Sequence, residues 1–377
     1  IGQHVIPLTQ GGLHTIVLPR ILKSEAILEF DASSYYPSIL RKIGRHPEAL
    51  LKTWISILNE MTDKRLAAKK CGNGTEADVY KIIINSVYGK LAEKHSINFD
   101  PNLQLSVVIN GQLFLLTLME AFNRSGFEVI VANTDGLYIN AGKRIDEAIN
   151  IAKKWSAETG FELDNKYSTI YVATSVNDYA LFSPKSGWFH KKGKFGPGKR
   201  TAPTIITDAV LEQICGNTEI PGYIGASKNI LEFLYSTSVK GDGVEVNQNG
   251  AQLQKTNRWY RSVNGHQMER VKFGPDGISS KTKIPDSANA VVVNSLRHFD
   301  IPEDIDMDFY IDESQILLSQ LSDEAGNSQA KLPKLISDAI TSQGEGFVVV
   351  PKGWRGNEKA GVPRTFEPET IDYWRNM

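Results

Sequence analysis

The stretch FEVIVANTDGLYIN, Phe127 to Asn140, places two short apolar runs on either side of Asn133-Thr-Asp-Gly136. Asn, Asp and Gly between β-forming residues predict two strands joined by a tight turn. Phe127 to Ala132 and Leu137 to Asn140 are the expected strands. An acid, Asp135, therefore stands at the rim of a buried sheet. Ala26 to Asp31 (AILEFD) predicts a further short buried strand, and it too ends in a carboxylate. Such acids are costly unless something neutralises them.

Each acid has a local reading. Asp135 is common turn chemistry, and Asp31 can cap a helix over Ser34 to Leu40. Together they allow another, in which neighbouring strands hold both carboxylates on one sheet edge. Hard cations such as Mg²⁺ take one or two carboxylates plus phosphate oxygens and water. Two such ions about 4 Å apart clamp the attacking and leaving oxygens of an in-line displacement.

The remaining periodicities predict helices at Pro47 to Lys70, Glu76 to Lys94, Ser106 to Asn123 and Asp146 to Thr159. The first carries Leu50, Leu51, Trp54, Ile55, Leu58 and Met61 on one side. With the Cys71-Gly-Asn-Gly turn and the second helix it makes a helical hairpin. Phe161 to Phe182 reads as β-rich. After Pro203 the pattern changes to helices and polar loops, which sets a boundary near Thr201. The length of 377 residues exceeds one core and predicts two or three subdomains. Only two cysteines occur, without metal-type spacing, so a reduced, cytoplasmic setting is expected. The interrupted run Val107 to Phe122 is expected to be a core helix, with no membrane involved. Starting at Ile1, the chain reads as a portion of a longer protein.

Net charge is -1, but Lys185 to Arg200 holds six Lys or Arg residues and no acid. Gripping a phosphate backbone needs a basic face, not a basic average. A solvated loop has the same composition. In the second hairpin helix Lys81, Asn85 and Tyr88 share one face, with Ile82 to Ile84 expected to be buried. Arg65 and Lys69, four apart on the preceding helix, are either a solvated face or partners converging on a triphosphate.

Three ordered motifs now carry a resemblance. Asp31-Ala-Ser-Ser-Tyr-Tyr-Pro-Ser38 resembles D-x-x-S-L-Y-P-S, the first polymerase motif of the family B DNA polymerases. Lys81 to Gly89 matches the second, K-x-x-x-N-S-x-Y-G, at every fixed position, and Asn133-Thr-Asp-Gly136 resembles the third, D-T-D-S. Gln10-Gly-Gly-Leu-His14 resembles the glycine segment before the palm, and Tyr179 with Lys192-Gly193 the primer grip. The match runs from about Gly11 to Pro203, half the chain.

The resemblance implies an α+β right-hand polymerase: an antiparallel-sheet palm (1–44 and 96–202), a two-helix fingers hairpin (45–95) and a mixed helical thumb (203–377). It implies that Asp31 and Asp135 hold two Mg²⁺, with Mn²⁺ a substitute. Arg65, Lys69, Lys81 and Asn85, with the backbone around Ser34 and Tyr35, would hold a dNTP. Tyr36 would exclude a ribose 2′-hydroxyl. Tyr88 and Gly89 would face the nascent base pair, and Thr134, Tyr179, Lys192 and Lys194 the primer-template DNA.

Departures stand beside these matches. Asn133 replaces the first aspartate of the third motif and Gly136 its serine, a combination resembling a phage-type variant. Val176-Asn-Asp178 stands where two lysines usually precede the tyrosine, which shifts primer grip toward Lys191, Lys192 and Lys194. A further family carboxylate is Glu162 or Asp164. Fifty positions from Asp31 to Lys81 leave room for a two-helix hairpin and little else, which disfavours the inserted element of protein-primed relatives. No proofreading motif lies within these residues; an exonuclease domain, if the full-length protein has one, sits upstream of Ile1. Beyond Pro203, Arg258-Trp-Tyr-Arg261 and Lys281-Thr-Lys283 either line a DNA channel or place Trp259 and Tyr260 in a core. Asp304 to Ser319 resembles the terminal thumb segment. Two other functions remain open: a reverse transcriptase, which would lack the Lys81 to Gly89 helix, and a catalytically impaired relative serving as a DNA-binding module.

Overall fold

The computed structural model describes residues 11–322, apart from 16, 18–19, 197–201, 275–276 and 296–298. Gln10, Lys199, Arg200 and the outer ends of the first and last expected segments lie outside the described residues. In chain order the elements are β1 (Arg20–Ala32), α1 (Tyr35–Ile43), α2 (Thr53–Lys70), α3 (Gly74–Lys90), α4 (Pro101–Arg124), β2 (Glu128–Asn133), β3 (Gly136–Asn140), α5 (Ile145–Thr159), β4 (Leu163–Ser175), β5 (Asp178–Ser183) and β6 (Trp188–Lys192). They continue as α6 (Thr204–Cys215), α7 (Ile220–Ala226), β7 (Tyr235–Ser238), β8 (Val244–Gln248), β9 (Ala251–Leu253), β10 (Thr256–His266), β11 (Met268–Gly274), β12 (Gly277–Lys283), β13 (Ala290–Val292) and α8 (Met307–Ser322).

Strands β1–β6 form one antiparallel sheet in the order β2-β3-β1-β4-β5-β6. The two strands that end in acids are thus sheet neighbours, paired Leu28↔Ile139 through Asp31↔Gly136. Side chains alternate across a strand. Leu28, Phe30 and Ala32 therefore join Leu137 and Ile139 on a face covered by helices, where Phe30 stacks on Phe122 of α4 at 5.2 Å. Ile27, Glu29 and Asp31 fall on the other face. There a smaller cluster of Ile27, Val131, Tyr138, Tyr171 and Tyr179 packs beside the acids.

Helix α4 is the one described helix long and apolar enough to cross a membrane. Here Val107, Leu115, Leu118, Met119 and Phe122 bury it in the first core. The hairpin α2–α3 is less buried than its sequence suggested. Helix α2 starts at Thr53, so Leu51 lies before it and is exposed. Leu58 is buried, while Trp54, Ile55 and Met61 are half-buried against the core. On α3 only Ile84 of the Ile82–Ile84 run is buried; Ile82 and Ile83 face outward. A run of three apolar residues cannot share one helical face, and among the described residues no second layer covers this hairpin's outer side.

Beyond residue 203 the expected helices and polar loops prove half right. Helices α6, α7 and α8 are present, but two further antiparallel sheets, β13-β10-β7 and β12-β11-β8-β9, accompany them. Their strands are short and often polar on one face. In β8, Val244 and Val246 are buried while Glu245 is not, an alternation hidden within the Gly/Asn-rich stretch Lys240 to Gly250. A second core, with Phe195, Val210, Phe233, Trp259 and Tyr310, joins these helices to Val172 and Ala180 of the large sheet. The second core thus reaches back across the boundary near Thr201, because β4 and β5 contribute both to it and to the smaller cluster beside the acids.

Trp259 is 1% exposed, stacks on Tyr235 at 4.3 Å and donates its indole N–H to Thr237. Tyr260 is buried and bonds Asp304. Of the two readings of Arg258 to Arg261, the core reading holds for both aromatics. Lys281 and Lys283 are exposed. Trp259→Ala is expected to cost about 3–5 kcal/mol of stability, measured by denaturant unfolding; an unchanged midpoint with weakened DNA binding would restore the channel reading.

Candidate active site

The acids meet where β1 and β3 end. The Ala32 N–H donates to the Asp135 carbonyl oxygen at 2.8 Å, and Asp31 lies opposite Gly136. A Cβ at position 136 would stand 2.6 Å from the Phe30 carbonyl oxygen and 3.1 Å from Asp31 Oδ1. Glycine in place of serine is what lets these strands close so tightly here. The turn residue Thr134 has φ +59°, rare for a β-branched residue. Several bonds hold it there. Its N–H donates to the Leu13 carbonyl, its hydroxyl donates to Asn133 Oδ1, and the same hydroxyl bonds His14 Nε2.

Asp31 and Asp135 together line two adjoining cavities on this sheet end. The larger, about 650 Å³, runs toward the hairpin and is walled by Ser34, Tyr36, Arg65, Lys69, Lys81 and Asn85. Tyr35 and Tyr88 also border it. The smaller, about 290 Å³, opens on the other side between His14, Glu29, Asn133, Tyr138, Tyr179 and Lys192. Burial raises the Asp31 carboxyl to about 6, and the charge of Asp135 adds to the rise. Burial raises Asp135 as well, against its own backbone hydrogen bond and the opposing charges of Lys192 and Lys81.

The expected cleft residues are already wired to one another. Arg65 bonds the Ser34 hydroxyl, and Lys69 bonds both Ser33 Oγ and the carboxylate of Asp164. Ser33 Oγ donates to the same carboxylate at 2.8 Å. Burial pushes Asp164 up, but these hydrogen bonds outweigh it and hold the carboxyl below its ordinary value. Asp164 stands opposite Asp31 in the ladder, whereas Glu162 reaches outward to pair with exposed Lys70. Of the two candidate carboxylates, Asp164 is the one brought to the cleft. Lys81 lines the cleft without a hydrogen bond or ion pair among the described residues. Helix α1 begins at Tyr35 with Ser34, φ +52°, as its N-cap, so Asp31 caps nothing.

Other expectations fall differently. Gly89 is exposed, with open space around it, and is absent from both cavities. Tyr179 is buried rather than presented to solvent. Its hydroxyl meets that of Tyr138 at 2.8 Å, and Lys192 sits 5.6 Å from its ring centroid. Lys191 pairs with Asp208 at 2.5 Å, and the Lys194 N–H donates to Asp178. The sequence reading missed Glu29, whose carboxylate accepts from Tyr138 and Lys166 beside the acids. Alternation was the available signal: residues 29 and 31 of one strand share a face. Asn133 is explained by its partners. Its amide donates to the Val176 carbonyl and to Asn177 Oδ1, where a carboxylate could offer no hydrogen.

The sequence is 26% identical over 168 residues to DNA polymerase II of Escherichia coli (strain K12), across 36% of this chain and 22% of that protein. The fold matches the family B DNA polymerase from the hyperthermophilic archaeon Pyrobaculum calidifontis. That match has a TM-score of 0.51 at 15% identity and covers 86% of this chain and 47% of the other. The chain is similar in sequence to a DNA polymerase over 36% of its length and in fold to a family B DNA polymerase. No protein-family profile matches it. It spans less than half the length of either of these proteins.

The raised Asp31 carboxyl has a measurable consequence. An acid raised from 3.8 to about 6 on folding favours the folded state in its protonated form. That contribution is full below pH 3.8 and lost as pH rises through about 6. In chelator, Asp31→Asn is therefore expected to exceed the parent by about 2 kcal/mol at pH 8. The gain should vanish near pH 4, as followed by thermal unfolding.

Proposed function

We propose that this chain carries out template-directed DNA synthesis, joining deoxynucleotides from dNTPs to a primer 3′-hydroxyl with the help of two divalent cations. The observation that carries this reading is the shared position of Asp31 and Asp135. They stand between a cleft lined by Arg65, Lys69 and Lys81 and a second cavity flanked by Lys192. In this reading residues 1–44 and 96–202 are the palm, 45–95 the fingers and 203–377 the thumb. Primer-template DNA lies on the Lys192 side, and the nucleotide enters from the hairpin side. A DNA-handling enzyme with two free cysteines suits the cytoplasm.

The donor set suits Mg²⁺, or Mn²⁺ in its place. Two carboxylates both raised by burial, with the charge of Asp135 adding to the rise at Asp31, are the kind of hard-oxygen pair that a divalent cation relieves. Asp31 and Asp135 would hold the ions. When bound, the metal supplies Lewis-acid chemistry, easing loss of the 3′-hydroxyl proton and neutralising charge on the departing pyrophosphate. The chain's own residues do the rest. Lys81, with no hydrogen bond or ion pair among the described residues, takes a phosphate oxygen. Arg65 exchanges Ser34 for the triphosphate, where its planar fork binds two oxygens. Lys69 stays tied to Asp164, which positions it behind the phosphates. Asn85 lies one helical turn from Lys81 and offers an amide to the nucleotide. The Tyr36 ring, against Tyr88 at 4.6 Å, bounds the sugar and leaves no room for a 2′-hydroxyl. Thr134 holds the turn that carries Asp135, and Tyr179 supports Lys192 from beneath.

Primer extension with Mg²⁺ and dNTPs tests the whole reading, since a DNA-binding module without catalysis would extend nothing. Asp135→Ala should abolish incorporation while DNA affinity, read by gel shift, stays within about threefold of the parent; vigorous residual synthesis would refute the metal assignment. Lys81→Ala is expected to raise the dNTP KM or slow the chemical step by about tenfold or more, seen in single-turnover kinetics. An unaltered profile would remove Lys81 from the nucleotide site.

A further inference from the structure

Helix α4 has one glycine in its interior, Gly111, on the side facing the nucleotide cleft. Glycine weakens a helix relative to alanine, so the position needs a compensating reason. A Cβ there would lie 3.2 Å from Cε1 of Tyr36, 3.2 Å from Cδ1 of Ile39 and 3.4 Å from Cε1 of Tyr35. The first two contacts are tighter than ordinary packing, so something would have to give.

The surroundings decide what gives. Helix α4 cannot retreat, because Val107, Val108 and Leu115 are buried and Gln112 Nε2 donates to the Gly11 carbonyl at 2.5 Å. Tyr35 is fixed too. Its hydroxyl donates to the carbonyl of Gly111 itself at 2.6 Å, and its ring packs on Phe161 at 5.1 Å. Ile39 is fully buried. Tyr36 alone of the three is half-buried and borders the open cleft. Its ring is the mobile member of the set.

We infer that Gly111 sets how far the Tyr36 ring projects into the cleft, and is thus a specificity-determining position for the nucleotide sugar. This rests on the nucleotide reading of the cleft given above. Gly111 touches no nucleotide; it acts through the ring. Any side chain at 111 presses Tyr36 away from α4 and narrows the space left for the sugar. With glycine the ring lies back against the helix backbone, leaving room for a deoxyribose.

The test compares Gly111→Ala, Tyr36→Ala and the double variant in single-nucleotide primer extension, reading kcat/KM for a dNTP against the matching rNTP. Gly111→Ala is expected to raise the dNTP KM about threefold or more and to shift the dNTP/rNTP ratio by a similar factor. In the Tyr36→Ala background the same substitution should leave the ratio unchanged, because the ring it acts on is gone. A ratio unmoved by Gly111→Ala but moved by Tyr36→Ala would overturn the inference and leave the cleft reading standing. So would a shift that persists without the ring. A ratio unmoved by Tyr36→Ala would sink the cleft reading and this inference with it. Should Gly111→Ala fold poorly, combining it with Ile39→Val removes the Cδ1 contact and isolates the contact to the ring.

Discussion

Two buried carboxylates at the ends of adjacent strands repel one another, and the sheet holds them together regardless. The backbone does this work. The ladder from Leu28↔Ile139 to Asp31↔Gly136 fixes β3 beside β1, and the bond from Ala32 to the Asp135 carbonyl ties the turn to the strand end. Burial and mutual charge lift the Asp31 carboxyl to about 6. A protein that only needed stability would place neither acid there. The cost becomes intelligible if a cation supplies the missing positive charge in the working state.

The rest of the architecture positions basic groups around that pair without letting them quench it. Lys69 is occupied by Asp164 and Ser33, Arg65 by Ser34, and Lys191 by Asp208. Lys192 acts on Asp135 from the far side through its charge, and Lys81 does so from the hairpin. The acids therefore lie between a basic wall on the larger cavity and a single lysine, Lys192, on the smaller. Glu29, Tyr138 and Tyr179 form a hydrogen-bonded floor on the same face of the sheet. Its hydroxyls are satisfied internally, so the floor stays rigid beneath Lys192.

The large sheet and its acids were legible in the sequence because they rest on local rules. The Asn-Thr-Asp-Gly turn, the short apolar run AILEF ending in Asp31 and the long apolar helix each follow from a few residues. The two-helix hairpin was legible as helices but not in its burial. Periodicity says which residues share a face, and it does not say whether a neighbour covers that face; hence Ile82 and Ile83 stand exposed. The β-strands beyond residue 203 were missed because all but β10 span only three to seven residues and lie between glycines and polar turns. Choosing Asp164 over Glu162 required the β1–β4 register, which no single strand contains. The burial of Tyr179 needed the same kind of information, since its partner Tyr138 lies on a strand three places away in the sheet.

The most direct test of the shared-cation account is Mn²⁺ uptake, followed by electron paramagnetic resonance in the presence of a dNTP. The intact protein should take up the ion, and Asp31→Asn and Asp135→Asn should each sharply weaken that uptake while remaining folded. Equal Mn²⁺ binding by the parent and both variants would mean that these carboxylates do not hold a metal.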